Sequence, residues 1–157
     1  MSSLPTDLLR VRAPDLTDAD VDVLGGYMVF VRLEPGQALL DEGVASDALY
    51  LLSQGRLVAE RDGLALRTVE PGQWVGEISV LDPGPTLVTL RAQVPSMALS
   101  LAASDLQRLR DEHPLVASKI LRALALEMAT LLRATTGALP PAGLRGLLAR
   151  LLGGAAA

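Results

Sequence analysis

The 157-residue chain contains no cysteine, which excludes disulfides, thiolate metal sites and cysteine nucleophiles. That agrees with a reducing cytoplasm, the expected compartment. Its only histidine, His113, stands beside Pro114 at an expected helix start, the place of a helix flank and not of a catalyst. No Ser-His-Asp set, metal-spaced histidine pair or nucleophile elbow can be assembled from that supply. The sequence therefore reads as non-enzymatic and without a metal. Aromatic residues are limited to one Trp, one Phe and two Tyr, leaving a core of Leu, Val and Ala. Lys119 is the only lysine; the preference for arginine fits a GC-rich coding bias and carries no functional weight.

Basic runs are missing as well. The net charge is −4 and the pI about 4.9, whereas nucleic-acid binding by charge needs a basic face that releases counterions. No nucleic-acid partner is expected. No stretch approaches the roughly 20 apolar residues of a membrane span, and residues 1–14 alternate polar with apolar positions in a way no signal peptide does. The acidic group Asp41, Glu42 and Asp47 lacks calcium-loop spacing, and no Walker-type or dinucleotide glycine pattern occurs.

What is present suits one globular domain: half of the residues are hydrophobic and a fifth charged. Residues 1–14 form an extension. A short helix follows, with Thr17 as N-cap, Asp18 and Asp20 in the first turn and Gly25-Gly26 as its end. The period then shortens. Turn signals ending in Gly36, Gly43, Gly55, Gly63, Gly72 and Gly84 are 7, 12, 8, 9 and 12 residues apart, the spacing of short antiparallel strands. Strands are expected over 27–33, 48–52, 56–61, 86–92 and 97–101.

The helical period returns beyond them. Ser104 with Gln107 reads as a capping box for a helix over 105–112. Pro114 suits the first position of a longer helix over about 114–133. On that helix Ala117, Leu121, Leu124, Met128 and Leu131 alternate spacings of four and three, a coiled-coil-like seam. Val116, Ile120, Ala123 and Leu132 form a second apolar line that can face the strands. Two readings stand: a single core helix, and a homodimer through the seam of Leu121, Leu124, Met128 and Leu131. The last segment, 136–157, is rich in Pro, Gly and Leu. Leu144, Leu147, Leu148, Leu151 and Leu152 share one face of about ten helical residues, too few to be stable alone. It reads either as a tail on its own domain or as a docking segment for a protein partner or a membrane surface.

The informative stretch is Val75-Gly76-Glu77-Ile78-Ser79-Val80-Leu81. A glycine before a tight turn lets successive N–H groups converge on an anion, and a following carboxylate can accept from sugar hydroxyls. Around it stand Leu33-x-Pro35-Gly36, Glu42-Gly43, Asp47-x-Leu49-Tyr50-Leu51-Leu52-x-x-Gly55-x-Leu57-Val58, Pro71-Gly72, Leu90-Arg91-Ala92 and His113-Pro114. In this order the motifs resemble the cyclic nucleotide-binding domain family, that of the catabolite activator and of protein kinase A regulatory subunits, over residues 15–135. The resemblance implies an α+β fold: an antiparallel β-roll of jelly-roll type with a short N-terminal helix and C-terminal helices. It further implies Gly76 and Glu77 at the start of a phosphate-binding cassette, with Glu77 on the ribose hydroxyl and the N–H groups of Ile78 and Ser79 on the cyclic phosphate. Thr135 and Thr136 fall near where the family's long helix offers hydroxyls to the purine.

The cassette of the family ends in an arginine that pairs with phosphate and a small hydroxyl residue. Here Thr86 and Leu87 stand in those places, and residues 76–90 contain no Arg, Lys or His at all. Arg91 lies five residues beyond Thr86, about 16 Å along an extended strand and on its other face. Loss of a buried charge partner costs about 3–5 kcal/mol, enough to turn a micromolar site millimolar. The expectation is thus a stand-alone regulatory domain acting as a weak or altered small-ligand sensor through its C-terminal helices, with no cofactor beyond a cyclic nucleotide. The alternative is a ligand-independent dimerisation or protein-interaction module. A transcription regulator is the third reading and is disfavoured, because only 21 residues follow Thr136, too few for a helix-turn-helix.

Overall fold

The computed structural model describes residues 5–138. The leucine-rich face expected over 144–152 lies outside the described residues. The chain divides into two compact units, Met1–Ala123 and Leu124–Ala157, and the first holds all the strands among the described residues.

Helix α1 (Thr6–Arg12) and helix α2 (Asp18–Gly25) come first. The strands β1 (Val29–Leu33), β2 (Ala38–Leu40), β3 (Ala45–Ser46), β4 (Ala48–Gln54), β5 (Leu57–Arg61), β6 (Leu64–Val69) and β7 (Trp74–Val75) follow. After the short helix α3 (Glu77–Leu81) come β8 (Gly84–Pro85), β9 (Thr89–Ala92) and β10 (Ser96–Ala102), then α4 (Ala103–Glu112) and α5 (Pro114–Ala138). Every strand pair is antiparallel. The order β1-β10-β4-β7 makes one four-stranded sheet, β2-β9-β5-β6 a second, and β3-β8 a two-stranded ribbon. Leu33, Leu52 and Val75 from the first sheet meet Leu40, Leu57, Ala59, Val69, Leu90 and Ala92 from the second in one aliphatic core. This is the β-roll that the motif order implies.

The turn reading is carried by the backbone: Gly36, Gly43, Gly55, Gly63 and Gly72 all have φ between 77° and 88°. At Gly55 a β-carbon would lie 2.2 Å from the Ser96 hydroxyl and 2.6 Å from the Pro95 carbonyl oxygen, so the corner between β4 and β5 has no room for a side chain. Gly84 is different, for it pairs with Ser46 in the β3–β8 ribbon.

The helix α2 starts as expected. Thr17 accepts from the Asp20 N–H, and the Asp20 carboxylate accepts from the Thr17 N–H at 2.8 Å. That carboxylate also takes the Lys119 ammonium at 2.6 Å. The Lys119 bond, followed by the Thr17 N–H, holds the Asp20 carboxyl down at about 2.

Three expectations about the helices change. The extension 1–14 is not featureless: α1 forms there and its Leu9 is fully buried. No capping box forms at Ser104, since β10 runs straight into α4 with extended Ala102 as the N-cap. The Ala103 N–H donates to the Asp47 carbonyl instead, and Gln107 bonds to Asp111 one turn on. The motif is present, but the strand leaves no loop in which Ser104 could cap. Finally α5 continues past Arg133 to Ala138, taking in Thr136 and Gly137.

Along α5 the buried residues are Val116, Ala117, Ile120, Ala123 and Leu124. The expected seam therefore splits. Leu124 is 1% exposed within the single chain and Leu131 40%, while Leu121 and Met128 are half-buried.

Candidate functional site

The two sheets leave an open-mouthed cavity of about 290 Å³ at one end of the shared core, near the lower limit for small-molecule sites. Its apolar wall is Leu40, Ala59, Val75, Val88 and Leu90, contributed by β2, β5, β7, the segment before β9, and β9 itself. The rest of the lining is Gly76–Ser79, then Pro85, Thr86 and Leu87, and from β6 Leu66 and Arg67. All six expected site residues, Gly76, Glu77, Ile78, Ser79, Thr86 and Leu87, thus converge on one cavity.

The loop after β7 is shaped by Gly76. Its φ is 84°, and a β-carbon there would sit 2.4 Å from the Ala48 carbonyl oxygen on β4. A left-handed residue pressed against backbone must be glycine. The chain then enters α3, whose Val80 N–H returns to the Gly76 carbonyl at 3.1 Å. The first N–H groups of a helix have no acceptor within it, so those of Glu77, Ile78 and Ser79 are turned out of the ladder beside the cavity. Glu77 is only 8% exposed and Ser79 is buried, whereas Ile78 and Leu87 are exposed at the rim.

The side chain of Thr86, where the resemblance leads one to expect an arginine, is already engaged. The hydroxyl donates to the Asp41 carbonyl. The Thr86 N–H donates to the Val44 carbonyl at 2.9 Å, and the Gly43 N–H donates to the Thr86 carbonyl at 2.8 Å. Three hydrogen bonds tie this segment to the chain at 41–44. Arg91 stays out of the site, as the strand geometry requires. Leu90 and Ala92 point into the core, and the Arg91 guanidinium donates to the Gly36 carbonyl at 2.8 Å and pairs with Glu60 at 3.5 Å.

Of the lining residues that were not expected from sequence, Arg67 is the one that carries charge. Arg67 belongs to β6, before the cassette, and a count of charges over 76–90 does not reach it. Its inward side follows only from the ladder with β5, which no pattern within 64–69 announces.

Residues 30–113, more than half of the chain, match the family model described as the cyclic nucleotide-binding domain. The chain belongs to this family. A cGMP-dependent protein kinase of Eimeria tenella is 30% identical to this cyclic nucleotide-binding domain over 111 residues, which are 69% of the chain and 11% of the kinase. The chain thus spans only a small part of that relative. Among solved structures, the N-terminal domain of a transcriptional regulator from Streptomyces coelicolor A3(2) superposes with a TM-score of 0.67 at 31% identity, covering 78% of this chain and 89% of the other. A cyclic nucleotide-binding domain from Methylobacillus flagellatus superposes with a TM-score of 0.78 at 22% identity, covering 84% and 80%.

The other sequence-derived candidates lie elsewhere. Leu121 lines a small hollow with Val80, Leu81 and Leu106, so it is not free to act as a simple seam residue. The Thr135 hydroxyl donates to the Leu131 carbonyl of its own helix at 2.9 Å. No helix among the described residues is long and apolar enough to cross a membrane.

Proposed function

We propose that this chain is a non-catalytic regulatory domain that takes a cyclic nucleotide or a related small phosphate ester in its β-roll, more weakly than a complete cassette would, and signals through its C-terminal helices. One observation carries this reading. Gly76 and Glu77 line the cavity where the chain enters α3, while the hydroxyl of Thr86 is already bonded to the Asp41 carbonyl. Backbone N–H groups and the Glu77 carboxylate line the cavity, while residues 76–90 bring no positive charge to it. The cGMP-dependent kinase among the relatives supports a cyclic nucleotide as the ligand class.

The test is a thermal shift with millimolar cyclic AMP, cyclic GMP and cyclic di-GMP on wild type and Glu77→Ala. A saturating stabilisation in wild type that Glu77→Ala abolishes is expected. No shift with any of the three overturns the reading.

A second reading, a ligand-independent homodimer, is favoured by large apolar side chains that α5 leaves exposed, Leu126, Leu131 and Leu132 among them. It predicts a dimer in sedimentation that Leu131→Glu converts to monomer without loss of helicity. Leu124→Glu is unsuitable for this purpose, because a charge at a buried position would unfold the chain. A monomeric wild type removes this reading.

A further inference from the structure

We propose that Arg67 supplies the positive charge for a phosphate bound in the β-roll cavity, delivering from strand β6 what the cassette lacks at Thr86. The assignment rests on the reading that the cavity takes a cyclic nucleotide.

Strand register puts Arg67 on the inward face. The β5–β6 ladder pairs Ala59 with Arg67 and Leu57 with Val69, and residues directly opposite in an antiparallel ladder project to the same side. Leu57, Ala59 and Val69 all belong to the buried core, so Arg67 projects from the same side of the sheet, exposed at the cavity mouth. The register then slips between Ala59 and Glu60, leaving Leu66 as an extra residue. Such a bulge re-aims the side chains beside it, and Leu66 and Arg67 both line the cavity.

Charge pairing singles out the same residue. Around this sheet Arg56 pairs with Glu70, Arg61 with Glu42, and Arg91 with Glu60. Among the described residues Arg67 enters no ion pair, although it is as exposed as its neighbours. An arginine on the inward side of a strand, against an apolar cavity whose other charged lining residue is Glu77, is left for a ligand to neutralise. The two charges suit the two ends of one molecule. Glu77 accepts from hydroxyls, and the guanidinium fork donates two parallel bonds to phosphate oxygens.

Because Arg67 is exposed, its bond forms partly in water, and the expected effect is about tenfold in affinity. Titration calorimetry on the full chain tests it, with cyclic AMP and cyclic GMP against adenosine and guanosine as phosphate-free controls. Arg67→Ala should weaken both cyclic nucleotides about tenfold and leave the nucleosides unchanged, with Arg67→Lys falling between. Unaltered cyclic nucleotide binding in Arg67→Ala overturns the assignment while the cyclic nucleotide reading stands. If wild type binds no cyclic nucleotide, the underlying reading falls and takes the assignment with it, and binding that appears only in Thr86→Arg shows a cavity that Arg67 fails to serve.

Discussion

Replacing Gly76 by alanine would place a methyl group 2.4 Å from the Ala48 carbonyl oxygen, at a residue whose φ is 84°. Two costs then add. The left-handed backbone costs an L-residue about 1–2 kcal/mol, and moving β4 and β7 apart to admit the methyl adds about 1–3 kcal/mol of overpacking. Gly36 separates these costs, because its φ is 88° and a β-carbon there would meet nothing within 4 Å. Gly36→Ala should therefore lose only the backbone part, about 1–2 kcal/mol. Gly76→Ala should lose about 2–5 kcal/mol, or roughly 5–20 °C in Tm for a chain of this size. Urea unfolding of the three proteins, with equal m-values as the check on two-state behaviour, measures the difference. Equal losses at the two glycines would refute the claim that the loop after β7 is wedged against Ala48. The site would then owe its shape to φ alone.

Two further perturbations follow from the hydrogen bonds. The Asp20 carboxyl is held at about 2, against its ordinary 3.8, first by Lys119 and then by the Thr17 N–H. Since the folded value is the lower one, this contribution is complete above about pH 4 and disappears as the pH falls through about 2. Allowing for partial exposure of the pair, it amounts to about 1.5 kcal/mol. The stability gap between wild type and Asp20→Asn should shrink by most of that amount between pH 5 and pH 2 in urea titrations, and a gap independent of pH contradicts the pairing. Thr86→Val keeps the volume but removes the donor to the Asp41 carbonyl, at an expected cost of about 1–2 kcal/mol. Thr86→Ser, which retains the hydroxyl, should melt closer to wild type, and identical melting of the serine and valine variants would show that the bond contributes nothing.

The parts of the fold that could be read in advance are those whose cause is local. The Thr17 cap needs only Thr17 and Asp20. The turns need only their glycines, and Leu90 and Ala92 announce an inward face by simple alternation. The parts that escaped have non-local causes. Strands β3 and β8 are two residues each, one of them Gly-Pro, and exist only because they pair with each other. Edge strand β6 reads as apolar, yet Leu64 and Leu66 are exposed, so its pattern gives no inward side until β5 is set against it. Arg67 shares that difficulty. The lack of positive charge in 76–90 was legible, but the charge proposed to compensate for it belongs to a ladder partner of β5 and not to the cassette. Ser104 shows the converse error, a local motif overruled by a strand that runs directly into the helix.

Thr86 also bears on how much a ligand can change this domain. Where an arginine stands at this position, phosphate is its natural partner, and binding can order the segment around it. Here the segment is ordered by its own chain, through bonds from Thr86 to Asp41 and Val44 and from Gly43 to Thr86. A pre-organised segment loses less entropy on binding, which offsets part of the missing attraction. The same bonds leave less for binding to rearrange, and a ligand shifts a conformational equilibrium only by its differential affinity for the two states. A phosphate held from β6 by Arg67 would engage the second sheet, so the element that responds would be the β5–β6 hairpin rather than the segment around Thr86. Ligand-dependent protection from amide exchange should then fall on 64–69 more than on 84–87.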